Sequence, residues 1–187
     1  IRDRPFFTQS RVSKSNAFYF QDQISWGNWR LLAGLRNEQV NTSSSVPSDP
    51  TTASYNYSQT ESATTGRAGV LYMINPATSV YYSISQSFIP NGGYPGVNNT
   101  PLPSSRGLQN EIGVKHTVWK GLEATASLFQ INKTNVPALL SSSPLYFTVN
   151  GGEQSKGWEA SLVGQATSSL RMIANASGIN ATVTSAT

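Results

Sequence analysis

Between Pro103 and Val136 the chain reads as two arms of alternating apolar and polar residues, joined at Trp119-Lys-Gly121. Ile112, Val114 and Val118 fall on one side of the first arm. Glu111, Gly113, Lys115 and Thr117 fall on the other. In the second arm Leu122, Ala124, Ala126 and Leu128 oppose Glu123, Thr125 and Ser127. A strand sends successive side chains to opposite faces, so this spacing predicts a β-hairpin with one oily and one wet face.

The pattern recurs. Eight strand-like segments run roughly over 15–26, 29–41, 62–74, 79–90, 108–118, 122–135, 155–166 and 169–179. No segment has helical periodicity with caps. Short turns at Gly27-Asn28, Asn75-Pro-Ala-Thr78, Trp119-Lys-Gly121 and Thr167-Ser168 alternate with long Ser/Thr/Pro/Asn/Gly-rich loops over 42–61, 91–107 and 136–154. This rhythm collects the tight turns at one end of a sheet and the long loops at the other, as in outer-membrane barrels. Arg30 and Arg36, Glu111 and Lys115, Glu123, Glu159 and Arg171 all fall on the wet side of their segments. Asp22 breaks the rule on the oily side. Phe129 and Ile131 break it on the wet side, which predicts a bulge there or contact with something in a lumen.

Composition narrows the solvent. Charged residues make up 12% of the 187 residues, against about 25% in globular proteins. Small polar and aromatic residues fill the gap, which suits a sheet between lipid and a polar lumen and would equally suit a secreted soluble β-protein. No apolar run reaches the roughly 20 residues of a membrane-spanning helix, so a membrane location requires a barrel. There is no cysteine, hence neither disulfide nor thiolate metal site. The net charge of +4 comes from Lys and Arg scattered singly, apart from one local concentration at Arg2, Arg4, Arg11 and Lys14, without the basic stripe of a nucleic-acid binder. Trp26, Trp29 and Trp119 lie by the tight turns and Tyr19, Phe88 and Trp158 near the long-loop ends, as two aromatic girdles would. His116, the single histidine, shares the oily face near a turn and reads as an interface residue. No phosphate loop, nucleophile elbow or metal-ligand cluster is present.

Four blocks carry a family likeness. They are Tyr19-Phe-Gln-Asp-Gln-Ile24 followed by Trp29-Arg-Leu-Leu-Ala-Gly-Leu-Arg36; Ala68-Gly-Val-Leu-Tyr72 followed by Tyr81 to Pro90, which closes on Ser-Phe-Ile-Pro; Pro103 to Lys115 followed by Leu128-Phe-Gln-Ile-Asn-Lys-Thr-Asn135; and Asn150-Gly-Gly-Glu-Gln-Ser-Lys-Gly-Trp-Glu159. In this order and spacing, over about residues 15–180, the chain resembles the barrel of TonB-dependent outer-membrane receptors of the ferric-siderophore group. Ser104-Ser105 stands where the family has Pro-Glu, and Asn110 where it often has an aromatic.

The resemblance implies an all-β protein: an antiparallel transmembrane β-barrel, of which the chain supplies about eight strands out of about 22. Residues 1–187 would then be a partial barrel, with the plug domain and terminal strands elsewhere. It implies a bacterial outer-membrane transporter without enzymatic activity, catalytic residues or a resident cofactor. Iron would be carried as a ferric siderophore. The partners implied are that ligand, the TonB complex acting through an N-terminal part outside this sequence, and the lipid bilayer. Tyr55, Tyr57, Phe88, Tyr94 and Arg106, in or beside the long loops, are the candidate ligand contacts, as aromatics and a cation suit a bulky anionic chelate. Arg30, Arg36, Glu111, Lys115, Glu123, Glu159 and Arg171 would face the lumen, either touching the plug or pairing across strands. The rival readings are a complete eight-stranded barrel with a structural or adhesive role, an outer-membrane lipase or acyltransferase with a serine near His116, and a secreted β-sandwich.

Overall fold

Residues 10–46, 55–94, 96–142 and 145–185 are described by a computed structural model. Their strands are β1 (Ser10–Trp26), β2 (Trp29–Val46), β3 (Tyr55–Asn75), β4 (Thr78–Ile89), β5 (Ser105–Trp119), β6 (Leu122–Ser142), β7 (Leu145–Gln165) and β8 (Arg171–Ser185). They form one antiparallel sheet in chain order. Its two outer strands, β1 and β8, are not paired with each other, so the eight described strands do not close on themselves.

The register turns the alternation into two faces. Ile24, Leu31, Val70, Tyr82, Ile112, Leu128 and Trp158 are successive cross-strand partners in one row. Trp26, Trp29, Tyr72, Val80, Val114, Ala126, Ala160 and Ala176 make the next row towards the turns. Among the described residues these side chains have no partner layer: Ile112 is 57% exposed and Leu128 62%. An apolar face of this extent left bare in water is unstable, so its natural solvent is hydrocarbon. The apolar band also drifts across the sheet. It spans Phe18 to Trp26 in β1 and Trp158 to Leu162 in β7, so the row beginning at Asp22, Ala33, Ala68 and Ile84 continues as Asn110, Gln130, Lys156 and Asn180. Tilted strands crossing a flat layer produce this diagonal.

The short turns follow from local chemistry. Gly27 and Gly121 take positive φ in two-residue connections. At the β3–β4 turn, Asn75 Oδ1 accepts from the Ala77 amide at 2.9 Å. The β7–β8 connection spans residues 166–170 and is wider than the Thr167-Ser168 turn expected from sequence.

Three expectations are corrected. The segments 42–61 and 136–154 are mostly strand: β2 runs to Val46, β3 starts at Tyr55, and β6 and β7 run to Ser142 and from Leu145. Cross-strand side-chain hydrogen bonds carry the β2–β3 ladder past the apolar band: Asn37 to Thr64 and Asn41 to Thr60 at 3.0 Å, Ser43 to Ser58 at 3.4 Å. Residues 47–54, at the centre of the first expected loop, lie outside the described residues. Second, there is no bulge at Phe129 and Ile131, whose pairing is regular on both sides. Phe129 lays its ring against Gly157, the partner directly opposite, which has no side chain to cover its own backbone. Third, Tyr19 is not in an outward girdle; it pairs with Arg36 on the polar face. Trp29 and Tyr72, by contrast, do meet on the apolar face at 4.7 Å.

Candidate ligand mouth and lumen wall

All seven charged residues singled out in the sequence project from the polar face. Arg30 and Glu159 lie in a single row with Tyr81 and Ser127. Glu111 and Lys115 flank that row on β5. The structure divides them by role. Arg36 pairs with Glu38 at 3.0 Å, and Glu38 also accepts from Ser15 at 2.5 Å. Arg30 bends back to donate to the Gly27 and Trp29 carbonyls at 2.7 and 2.8 Å, tying down its own turn.

A shallow polar hollow lies between β4 and β8. It is lined by Tyr81, Glu111, Lys115, Ser127, Glu159 and Asn175, among others. The Tyr81 hydroxyl donates to Glu111 at 2.5 Å, Gln109 donates to the other carboxylate oxygen at 3.0 Å, and Lys115 stands 5.3 Å over the Tyr81 ring. Glu123 lines a second hollow beside Lys115 and His116. His116 Nδ1 lies 2.9 Å from the hydroxyl of its cross-strand partner Thr78. Arg171 starts β8 opposite Gln165.

At the other end of the same face the β4–β5 loop folds down onto the strands. Most of the buried side chains of the described residues lie in the loop (Asn91 and Leu102) or on the strands towards this end (Val40, Thr42, Ser44, Tyr57, Glu61, Ala63 and Ser105). Arg11 donates to the Gly93 carbonyl at 3.0 Å and lies 5.8 Å over the Tyr94 ring, which meets Phe147 edge-on at 5.0 Å. Asn91 donates to the Pro103 and Asn135 carbonyls at 2.6 and 2.9 Å. Ser105 donates to the Asn135 carbonyl at 2.8 Å. Asn135 holds φ at +56°, a conformation that asparagine tolerates better than most residues, and returns a bond to the Ser104 carbonyl at 3.1 Å.

The five candidate ligand residues do not converge. Tyr94 stands exposed at the mouth, and Tyr57 is buried and bonded to Gln59. Phe88 and Arg106 are cross-strand partners on the opposite, outward face, with the guanidinium 5.0 Å over the ring. Tyr55 begins β3 opposite Val46, and its side chain lies outside the described residues. The sequence marked Arg11 only as part of a basic cluster and assigned no role to Glu61, Asn91, Asn135 or Phe147. Glu61 carried one signal, as one of two acids in the Ser/Thr-rich stretch over 42–61, but it acquires a face only once β3 is known to reach Tyr55.

An unclosed antiparallel sheet with a bare apolar face, a polar face and a folded loop at one end defines a wall segment of a membrane β-barrel. The family model described as "TonB dependent receptor-like, beta-barrel" matches residues 2–187, and the chain belongs to that family. Barrels of this family are bacterial outer-membrane proteins, and the family is one of transport receptors. Among its relatives, the metal-pseudopaline receptor CntO of Pseudomonas aeruginosa is 33% identical over 172 residues, covering 90% of this chain and 24% of that protein. The ferrioxamine B receptor of Salmonella typhimurium is 29% identical, covering 85% of this chain and 22% of that one. The siderophore receptor PiuA of Acinetobacter baumannii superposes with a TM-score of 0.80 at 21% identity, over 95% of this chain and 27% of that structure. The chain thus spans about a quarter of the length of the relatives it matches.

Proposed function

We propose that this chain is part of the barrel wall of a receptor that takes up a ferric siderophore in a TonB-dependent manner, without enzymatic chemistry. The observation that carries the reading is the division of the sheet into a lipid face and a polar face that ends in a structured mouth. A receptor wall needs both: hydrocarbon contact outside, and inside a surface that a polar plug and a hydrated chelate can share. The relatives named for metal-pseudopaline and ferrioxamine B support the cargo class. In this reading Tyr94, with Arg11 beside it, offers an aromatic and a cationic surface at the mouth. Tyr57 supports the loop from below. Phe88 and Arg106 sit at the outer lipid boundary. Glu111 and Glu159 present acceptors to a cationic group of the plug, and Lys115 balances them.

The test is uptake by the full-length receptor in cells lacking their other siderophore receptors. Radioactive iron supplied as ferrioxamine B or ferrichrome is expected to accumulate, and accumulation is expected to stop when TonB is deleted. Uptake that persists without TonB, or growth unaffected by loss of the receptor on every ferric chelate offered, would refute the reading. Within it, replacing Glu111 and Glu159 together by glutamine is expected to lower uptake by about ten-fold while leaving surface binding of the chelate in place, because a weakened charge-assisted contact acts on plug movement.

A further inference from the structure

The β4–β5 loop is joined to the polar face by a single carboxylate at both of its ends. Glu61 Oε1 accepts from the Asn91 amide at 3.4 Å, where the loop starts, and from the Ser104 hydroxyl at 2.5 Å, where it finishes. Glu61 is 7% exposed, and its Oε2 is buried without a hydrogen-bond partner among the described residues. Leaving such an oxygen unpaired costs free energy, so stability alone would favour an apolar side chain here. Bonds on either side reinforce the clamp. Gln59 reaches the Leu102 carbonyl at 3.1 Å, and Asn91, 1% exposed, binds carbonyls of two different segments.

Close approach confirms the docking. A Cβ placed on Gly92 would lie 2.8 Å from Thr42 Cβ, and the Arg11 guanidinium lies directly against Gly93. Glycine at both positions lets the backbone of the loop rest on side chains of β1 and β2.

We propose that Glu61 is a positioning residue that fixes the β4–β5 loop on the lumen side as a permanent wall of the mouth. A loop tied at both ends, with Asn91 sealed from water, is part of the binding chamber before any ligand arrives. It narrows the opening and holds Tyr94 and Arg11 in place. The assignment of this face as a lumen mouth rests on the receptor reading above.

Two experiments on the full-length receptor test it, and this chain contributes no native cysteine to interfere. The first needs no ligand. Thr42→Cys, under the loop, is expected to react with a polar maleimide on intact cells at least about ten-fold more slowly than Ser43→Cys on the exposed opposite face, because reaction requires local opening. Adding Glu61→Ala is expected to remove most of that protection, and adding Glu61→Gln, which keeps an acceptor, to preserve it. Equal rates for Thr42→Cys and Ser43→Cys, or protection untouched by Glu61→Ala, would overturn the proposal.

The second is a staple, which also decides the matter if Glu61→Ala fails to reach the membrane. Thr42→Cys with Gly92→Cys needs only a small shift to reach the roughly 3.5–4.5 Å Cβ separation of a disulfide. Oxidised cells are expected to take up ferric ferrioxamine B as well as reduced cells do. Uptake lost on oxidation and restored by dithiothreitol would show a moving flap and refute the fixed wall. If no ferric chelate offered is taken up, the receptor reading is at fault and the labelling rates still decide the role of Glu61; if a chelate other than ferrioxamine B is taken up, the staple is tested with that one.

Discussion

Leu31→Arg should destabilise the barrel by about 2–4 kcal/mol, the cost of a cation near the middle of the lipid face, whereas Leu32→Arg should cost little. The two residues are neighbours in sequence with opposite fates. Leu31 lies between Ile24 and Val70 on the apolar face, in the band bounded by Trp29 towards the turn and Leu35 towards the loops. Leu32 lies between Gln23 and Gly69 on the polar face, where a guanidinium remains hydrated. Urea titration of the full-length barrel refolded into lipid vesicles measures both. Equal destabilisation by the two arginines would mean that the faces have been assigned wrongly.

Gly164→Ala is expected to be the most damaging of the glycine substitutions in this sheet. Gly164 has φ of +142°, and a Cβ there would collide with the Gly121 carbonyl oxygen and approach Leu122 Cα to 2.8 Å. Both obstacles are backbone atoms, so no side chain can swing away. Leu122, 1% exposed, is the cross-strand partner of Gly164 and would be pushed out of register. Strain of this kind costs about 1–3 kcal/mol before the clash is counted. Gly69→Ala is the control: its Cβ would make ordinary contact, 3.6 Å from the Tyr82 carbonyl oxygen, and should leave stability nearly unchanged. The heat-modifiable gel mobility of the folded barrel, with its yield in the outer membrane, reads both.

The strands were largely legible because a two-residue period survives any neighbour. Ile112, Val114 and Glu111, Lys115 could be sorted before their partners were known, and the register places them as sorted. Strand ends were less legible. The Ser/Thr/Asn stretches that continue β2 and β3 have no hydrophobic period, and they are held by pairs such as Asn41 with Thr60, which are visible only in register. Tyr19 was misplaced for a related reason: an aromatic near the end of a strand reads as a girdle residue unless its partner, here Arg36, is known.

The candidate site was harder to read than the strands. Tyr94 stood out by residue type, and so did Phe88 and Arg106, which the sheet turns outwards. The mouth depends on Glu61, Asn91 and Asn135, which are 30 and 44 residues apart in the bonds that join them. The sequence by itself determined the alternation of faces and three of the four tight turns, because each rests on spacing within a few residues; the membrane class came from the family likeness and the bare apolar face together. Only the tertiary structure decided that the β4–β5 loop folds inwards and which carboxylate holds it. Those are contacts between distant segments, and local propensity carries no information about which distant partner a buried polar group will find.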